Sequence, residues 1–186
     1  MQVKGKAIVS TLDLVKRNWG EANLEKVMAQ LPEEYSNALA FKGCSALWYP
    51  FDLYIKLTEI VINQFFEGEE VDACRQLGAE TAKTDDRVAV KLFYKLGTPE
   101  MIIRLGTWAF RRYFDEGEVN IRYSKPGINI FEISKLSVLH PYHYERVAGW
   151  MNMAIQLSGG KDVQTSVEIY EDDKVGKVLK FTNMWQ

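Results

Sequence analysis

The hydrophobic repeat of this chain changes its period near residue 115, and that change constrains the fold more than any other feature of the sequence. Before it, apolar residues recur every three or four positions, as they do in amphipathic helices. After Gly117, apolar and polar residues alternate, which is typical of strands that bury one face. The sequence therefore predicts a mainly helical part over residues 1–115 and a sheet-forming part over residues 116–186.

Local signals place the helices of the first part. The strongest pattern runs from Phe51 to Phe66, with Asp52 near its start and Gly68 after its end. Thr98 is a good N-cap and is followed by proline at the first helical position, so another helix begins there. The predicted helices cover residues 11–20, 24–31, 51–66, 71–82, 87–96 and 98–114.

Two β-hairpins are predicted in the second part, joined by a long helix. Strands at 119–124 and 128–135 flank a Lys-Pro-Gly turn, and strands at 163–170 and 175–184 flank an acidic turn. The helix between them covers residues 141–158. This order predicts an α+β fold with a four-stranded antiparallel sheet and helices at one side and end. Since the chain has no repeat and no linker-like segment, we expect one domain, residues 1–186.

Composition excludes several classes of function. The net charge is −2, from 23 basic and 25 acidic residues, so no concentrated basic face favours nucleic acid. Cys44 and Cys74 lie far apart without a CxxC motif, which favours a reducing cytoplasm over a disulfide or zinc framework. No uncharged apolar run is long enough to span a membrane. We expect a soluble cytoplasmic protein with no nucleic-acid partner and no membrane span.

The two histidines of the chain stand together in the stretch "LHPYHYE", as His140 and His143. A metal site would need them plus further ligands, and Glu145 is the only good local candidate. Pro141 is well placed as the first residue of a helix, which puts His140 at or before its N-cap. We interpret the stretch as a helix start and expect no bound metal.

Catalytic motifs are absent from the sequence. No phosphate-binding loop, nucleophile elbow or zinc-protease motif occurs, and the only titratable pairs to consider are Glu132 with Lys135 or with His143. We therefore expect that the protein is not an enzyme.

Aromatic residues cluster around residues 48–51 and along the helix at 98–114. Such rings are usually plain core, but they are also typical of an apolar pocket between that helix and the sheet. The residues predicted to line such a pocket are Trp48, Tyr49, Phe51, Ile103, Trp108, Phe114, Phe131 and Ile133.

Several segments together resemble a known superfamily: "VKGKAIVSTLDLVKRNWG", "WYPF", "PEMIIRLGTWAFRRYFDEGEVNI", "IFEISK" and "GGKDVQTSVEIYEDDKVGKVLKFTNMW". In this order they resemble the haem nitric oxide/oxygen binding domains, a superfamily that includes vinyl reductase-type ligand-binding domains and a transport-particle subunit family. The "WYP" element, the "RYFDEG" segment and the final Trp185 are most similar to a bacterial branch whose function is uncharacterised. The resemblance implies a helical part followed by an antiparallel sheet crossed by a helix.

The resemblance does not extend to the haem ligands. The haem branch takes a proximal histidine from the helix that corresponds to residues 98–114, and that helix has none here. The Y-x-S-x-R motif for the haem propionates corresponds to residues 132–136, where only Ser134 is kept. Asp172 and Lys180 stand where the vinyl reductase-type branch carries cysteines. We therefore expect no haem and no other cofactor.

Two functions follow from the pattern and the resemblance. The first is a non-haem, sensor-like domain that binds a hydrophobic small molecule in the apolar pocket between helix 98–114 and the sheet. The alternative is a protein-interaction module with a filled core, acting as a homodimer through exposed faces of the helices at 51–66 and 140–158. In either form we expect a homodimer.

Overall fold

The computed structural model describes residues 1–39, 43–83 and 97–186. The helices are α1 Gly5–Trp19, α2 Glu21–Ala29, α3 Glu33–Leu39, α4 Phe51–Phe65, α5 Glu70–Lys83, α6 Pro99–Tyr113 and α7 Pro141–Leu157, with a 3₁₀ turn at Cys44–Ala46. The strands are β1 Gln2–Lys4, β2 Trp48–Pro50, β3 Glu118–Lys125, β4 Ile128–Ser134, β5 Gln164–Asp172 and β6 Gly176–Met184. The predicted helix at 87–96 lies outside the described residues. Across the described ranges, no helix has the length and apolar character needed to cross a membrane.

The four long strands form one antiparallel sheet in the order β3-β4-β6-β5. The two predicted hairpins, β3-β4 and β5-β6, meet through the pairing of β4 with β6, which places Phe131 opposite Phe181. Their rings stack with centroids 4.7 Å apart in the core. The predicted α+β fold, with helices followed by a four-stranded antiparallel sheet, is confirmed.

Two short strands near the N-terminus were not predicted, and neither was the short helix α3. β1 and β2 pair antiparallel, with Val3 opposite Tyr49, and α1 begins at Gly5 rather than near residue 11. Strands of three residues are too short to display a repeat, so only their pairing partner reveals them. A side chain at Gly5 would collide with the backbone carbonyl of Cys44, which explains the glycine at this junction.

Helices α5 and α7 cross at two glycines. A Cβ atom at Gly78 would collide with the carbonyl oxygen of Arg146, and one at Gly149 with the carbonyl oxygen of Arg75. In both cases the obstacle is backbone of the other helix, which cannot move aside as a side chain can. The two helix axes can therefore approach this closely only because both positions lack a side chain.

Of the two helices expected to form a homodimer, α4 is polar where it is exposed, whereas α7 exposes Pro141, Gln156 and Leu157. α4 buries its apolar stripe inside the molecule and exposes Asp52, Lys56, Asn63 and Gln64. The homodimer stays a prediction, and the α4 face gives it little apolar surface to bury.

We predict that Gly149→Ala lowers the free energy of unfolding by at least about 2 kcal/mol. Helix propensity alone would make alanine about 1 kcal/mol more stable than glycine at this position. A loss of stability would therefore come from the collision with α5. Urea unfolding measures the change. Gln156→Ala, an exposed substitution on the same helix, should stay within about 0.5 kcal/mol of the unmodified protein. A stabilised Gly149→Ala protein would contradict the close crossing.

Candidate functional site

A cavity of about 380 Å³ lies between α6 and the sheet, with α1 and α7 completing its wall. Most of the wall is apolar. α6 supplies Gly106, Ala109 and Phe110, which recur at helical spacing and so share one face. The sheet and α7 supply Val119, Phe131, Ile133, Trp150 and Met151.

The structure brings three of the predicted pocket residues to this cavity, namely Phe114, Phe131 and Ile133. Ile133 and Phe131 are two positions apart on β4, so both point to the same face of the sheet. Phe114 follows the last turn of α6 and closes the cavity beside Phe110, with ring centroids 4.8 Å apart. These three positions fit the predicted location between the helix and the sheet.

The other five predicted residues lie elsewhere. Tyr49, Phe51 and Ile103 are buried in the core without lining the cavity. Trp48 and Trp108 are 40% and 53% exposed, and each ring lies under a cation on the surface. The Lys4 ammonium is 4.3 Å from the Trp48 ring centroid. The Arg112 guanidinium is 3.9 Å from that of Trp108.

The orientation of α6 explains why Trp108 is displaced and Phe110 is not. Phe110 lies four residues after Gly106 and faces the cavity with it, whereas Trp108 is two residues from each and lies on the opposite face. Aromatic content alone predicted that this helix forms part of a pocket wall. The spacing of its residues from Gly106 could have indicated which face of the helix lines the pocket.

His140 and His143 have different roles in the structure. His140 is the N-cap of α7, and its Nδ1 accepts a hydrogen bond of 3.2 Å from the backbone N–H of Tyr142. The predicted helix start at Pro141 is therefore confirmed. His143, one turn further on, is 1% exposed and faces the core.

His143 is enclosed by aromatic rings next to the cavity. The centroid of its ring lies 4.5 Å from that of Phe114, 5.3 Å from Phe51, and 6.0 Å from both Tyr54 and Phe110. Neither ring nitrogen has a hydrogen-bond partner among the residues that the structure describes. An imidazole in such surroundings is stable only in its neutral form, because a buried charge without a partner is costly.

The pKa of His143 also indicates a neutral ring. Burial first, and then the positive charge of Arg146 and the neighbouring His140, lower the pKa of His143 to about 3. The ring is therefore neutral at physiological pH and carries one N–H and one lone pair into an apolar shell. Phe110 and Phe114 stand between it and the cavity.

Arg146 is a buried cation in the cavity wall, and sequence reasoning did not single it out. Arg146 is 5% exposed and lines the cavity. Its side chain extends from α7 to three threonine hydroxyls on three other helices. Its guanidinium donates to Thr11 of α1 at 2.6 Å, to Thr58 of α4 at 3.1 Å and to Thr81 of α5 at 3.5 Å. The same guanidinium lies 5.0 Å from the ring centroid of Tyr54.

The partners of Arg146 within the described ranges are all neutral, and no ion pair joins it to a carboxylate there. The neighbouring carboxylate of Glu145 points to the other side of α7, where it accepts from Arg75 Nε at 2.7 Å. Arg75 also donates to the backbone carbonyl of Thr165 at 3.2 Å, which links α5 to β5. A buried arginine without a counter-charge is unusual, since buried charges are normally paired.

The titratable residues considered as catalytic pairs do not meet. Glu132 is bound by Arg122 on the other face of the sheet from Ile133. Lys135 donates to Glu118 at 2.7 Å on the surface. Cys44 and Cys74 are free and buried, and burial raises the pKa of Cys74 to about 12, so its thiol stays protonated. The described residues contain no group of three or more histidine, cysteine or acidic side chains placed to hold a metal ion.

The low pKa of His143 predicts a pH-dependent stability that a substitution should remove. Below about pH 6.5 the unfolded chain binds a proton that folded His143 accepts only near pH 3, so acid favours unfolding. From pH 7.5 to pH 5, the unmodified protein should lose about 2 kcal/mol more unfolding free energy than His143→Leu. Urea unfolding at both pH values measures the difference. Equal losses would show that His143 is accessible to protons when folded.

Comparison with known proteins identifies the fold. No protein-family model and no curated protein matches the sequence. Among solved structures, a variant of the H-NOX protein from K. algicida, in its Fe(II) unliganded form, is 14% identical, with 98% of this chain and 96% of that chain covered and a TM-score of 0.64. A Tt H-NOX variant is 12% identical, with 98% and 95% covered and a TM-score of 0.66.

A Cs H-NOX variant carrying 4-cyano-L-phenylalanine is 11% identical, with 98% and 96% covered and a TM-score of 0.66. Identities this low establish the fold alone. The resemblance to the haem nitric oxide/oxygen binding superfamily is thereby confirmed at the level of structure: the chain has the fold of the H-NOX domains.

Proposed function

We propose that this protein is a haem-free, sensor-like domain that binds an apolar small molecule in the cavity beside α6. The observation that carries the proposal is the cavity itself. Its volume of about 380 Å³ lies within the range of about 300–1,000 Å³ that ligand sites occupy. Its wall combines many apolar side chains with a few polar groups, which is the usual composition of such sites.

The position of the cavity supports a sensing role. Its wall joins the sheet to α1, α6 and α7, so a molecule bound there contacts the elements on which the packing of the helical part depends. A ligand acts as a signal only if it binds two conformations with different affinity. Side chains shared by several elements provide a direct way for occupancy to change that packing.

The residues around the cavity do not fit a haem. The fold family implies one, but a haem iron needs an axial ligand and no histidine lies on the described wall. His143 is separated from the cavity by Phe110 and Phe114. At the positions that match the tyrosine and the arginine of the propionate motif stand Glu132, which is paired with Arg122, and Leu136, which cannot bind a propionate.

The chemistry near the cavity supports binding rather than catalysis. Enzyme sites commonly hold two titratable groups whose pKa values are pushed apart and which face a common point. Here His143 makes no hydrogen bond within the described ranges and the thiol of Cys74 is protonated, so neither is prepared to transfer a proton or attack a substrate.

We predict that added haemin does not acquire the sharp, shifted Soret band of protein-ligated iron. The reason is that the described wall has no histidine, the ligand that the haem branch uses. Absorption spectroscopy of equimolar mixtures tests this, with an apo-globin as the positive control. Native mass spectrometry of the purified protein provides a second test, because a haem mass lost on denaturation would overturn the haem-free proposal.

We predict that Ala109→Phe weakens binding of the apolar dye N-phenyl-1-naphthylamine by at least about tenfold, which corresponds to about 1.4 kcal/mol. Ala109 lies on the cavity wall, so the added ring occupies space that the dye needs. Fluorescence titration gives the affinity, and circular dichroism checks the fold.

The control for this titration is Trp108→Phe, at the adjacent exposed residue of the same helix. It should leave the affinity unchanged. If both variants bound the dye like the unmodified protein, the cavity would not be the binding site.

A further inference from the structure

We propose that the molecule bound in this cavity is an amphipathic anion, whose apolar body lies along α6 and the sheet and whose carboxylate or phosphate head group binds the guanidinium of Arg146. This inference rests on the proposed function of the cavity and adds the chemical class of its ligand.

The first argument is the environment of Arg146. The residue is 5% exposed, lines the cavity, and has only hydroxyl groups and an aromatic face as partners in the described part of the chain. Hydroxyls orient a guanidinium but do not neutralise its charge. An anionic head group in the cavity would supply the missing counter-charge.

The second argument is the donor capacity of the side chain. Arginine carries five N–H groups in a rigid plane, and Arg146 uses three hydrogen bonds to reach the threonines. The threonines take both Nη2 hydrogens and one Nη1 hydrogen, so the Nε hydrogen and the second Nη1 hydrogen remain, and each can donate one charge-assisted bond to a carboxylate or phosphate oxygen. The threonines therefore hold the guanidinium in place while donors remain for a ligand.

The third argument is that the threonine hydroxyls act as acceptors. Thr11, Thr58 and Thr81 each donate their own hydroxyl hydrogen to the carbonyl four residues earlier, at 3.0, 2.8 and 2.8 Å. Their oxygens are then left to accept from Arg146. This arrangement fixes the direction of every hydrogen bond and pre-orients the cation before a ligand arrives.

The fourth argument is the sign of the remaining charges. Besides Arg146, the described charged residues on the wall include Lys6 and Asp13 of α1, whose opposite charges offset each other and leave the charge of Arg146. The carboxylate next to Arg146 in sequence, Glu145, is held by Arg75 and is turned away. The local field therefore favours an anion over a neutral or cationic ligand.

Three eight-carbon probes test the proposal on the full chain: octanoate, octyl phosphate and octan-1-ol. Displacement of N-phenyl-1-naphthylamine at pH 7.5 gives their affinities. We expect at least one of the two anions to bind about tenfold more tightly than the alcohol. In Arg146→Met the two anions should lose about tenfold more affinity than octan-1-ol does, so that the preference disappears.

A matched control is Arg112→Met, the same substitution at an exposed arginine that stacks on Trp108 away from the cavity. It should keep the anion preference. Arg146→Lys, which keeps the charge but loses the planar donors, should retain part of the preference. The comparison of probes on the unmodified protein needs no variant, so it stands even if Arg146→Met fails to fold.

The outcomes separate this inference from the function on which it rests. If all three probes bind equally to the unmodified protein, the cavity binds apolar molecules and the anion proposal is wrong. If the anion preference survives in Arg146→Met, the head-group site lies elsewhere. If none of the three displaces the dye or binds by calorimetry, the proposed function of the cavity fails as well.

Discussion

The guanidinium of Arg146 is the interaction on which the arrangement of the helices around the cavity depends. It starts on α7 and binds hydroxyls of α1, α4 and α5, so four helices meet at one side chain. Because Thr11 and Thr58 are fully buried, water cannot replace them as acceptors. The same guanidinium forms part of the cavity wall. A displacement of Arg146 by a bound molecule would therefore change its hydrogen bonds to α1, α4 and α5.

The close crossing of α5 and α7 determines how deeply the Arg146 side chain is buried. With glycine at positions 78 and 149 the two backbones come into direct contact, which brings the start of the Arg146 side chain up against α5. On the other side of α7, the pair Arg75–Glu145 joins the same two helices. Adjacent residues of α7 thus differ in their partners. The carboxylate of Glu145 is paired with Arg75, whereas the guanidinium of Arg146 lines the cavity and binds only neutral groups among the described residues.

The sequence predicted the elements that display a repeat and missed those that depend on a distant partner. Alternation after Gly117 was sufficient for both hairpins, and Pro141 was sufficient for the start of α7. β1 and β2 are defined only by each other. For the candidate site, Phe114, Phe131 and Ile133 were found from their position in the pattern, whereas Trp108 was included for its aromatic ring and lies on the surface.

Arg146 illustrates why sequence reasoning stops short of this site. An arginine within an amphipathic helix is normally placed on the solvent face, and nothing local separates this one from the arginines of α6. Its burial follows from α7 being covered on several sides, by α5, α6 and the sheet, so that even a polar position of the helix points inward. Threonines 11, 58 and 81 are equally ordinary in sequence, and only the fold brings their hydroxyls to one point.

The fold shared with the H-NOX structures accounts for the place of the cavity but not for its chemistry. A cavity between a helix and the sheet follows from the layer arrangement, while the groups that face it are set by single residues. In this chain the buried imidazole is neutral and enclosed by Phe110 and Phe114, and the buried guanidinium is charged and reaches the cavity. The cavity wall therefore presents a fixed positive charge rather than a metal-binding nitrogen, and a ligand complementary to that charge carries a negative one.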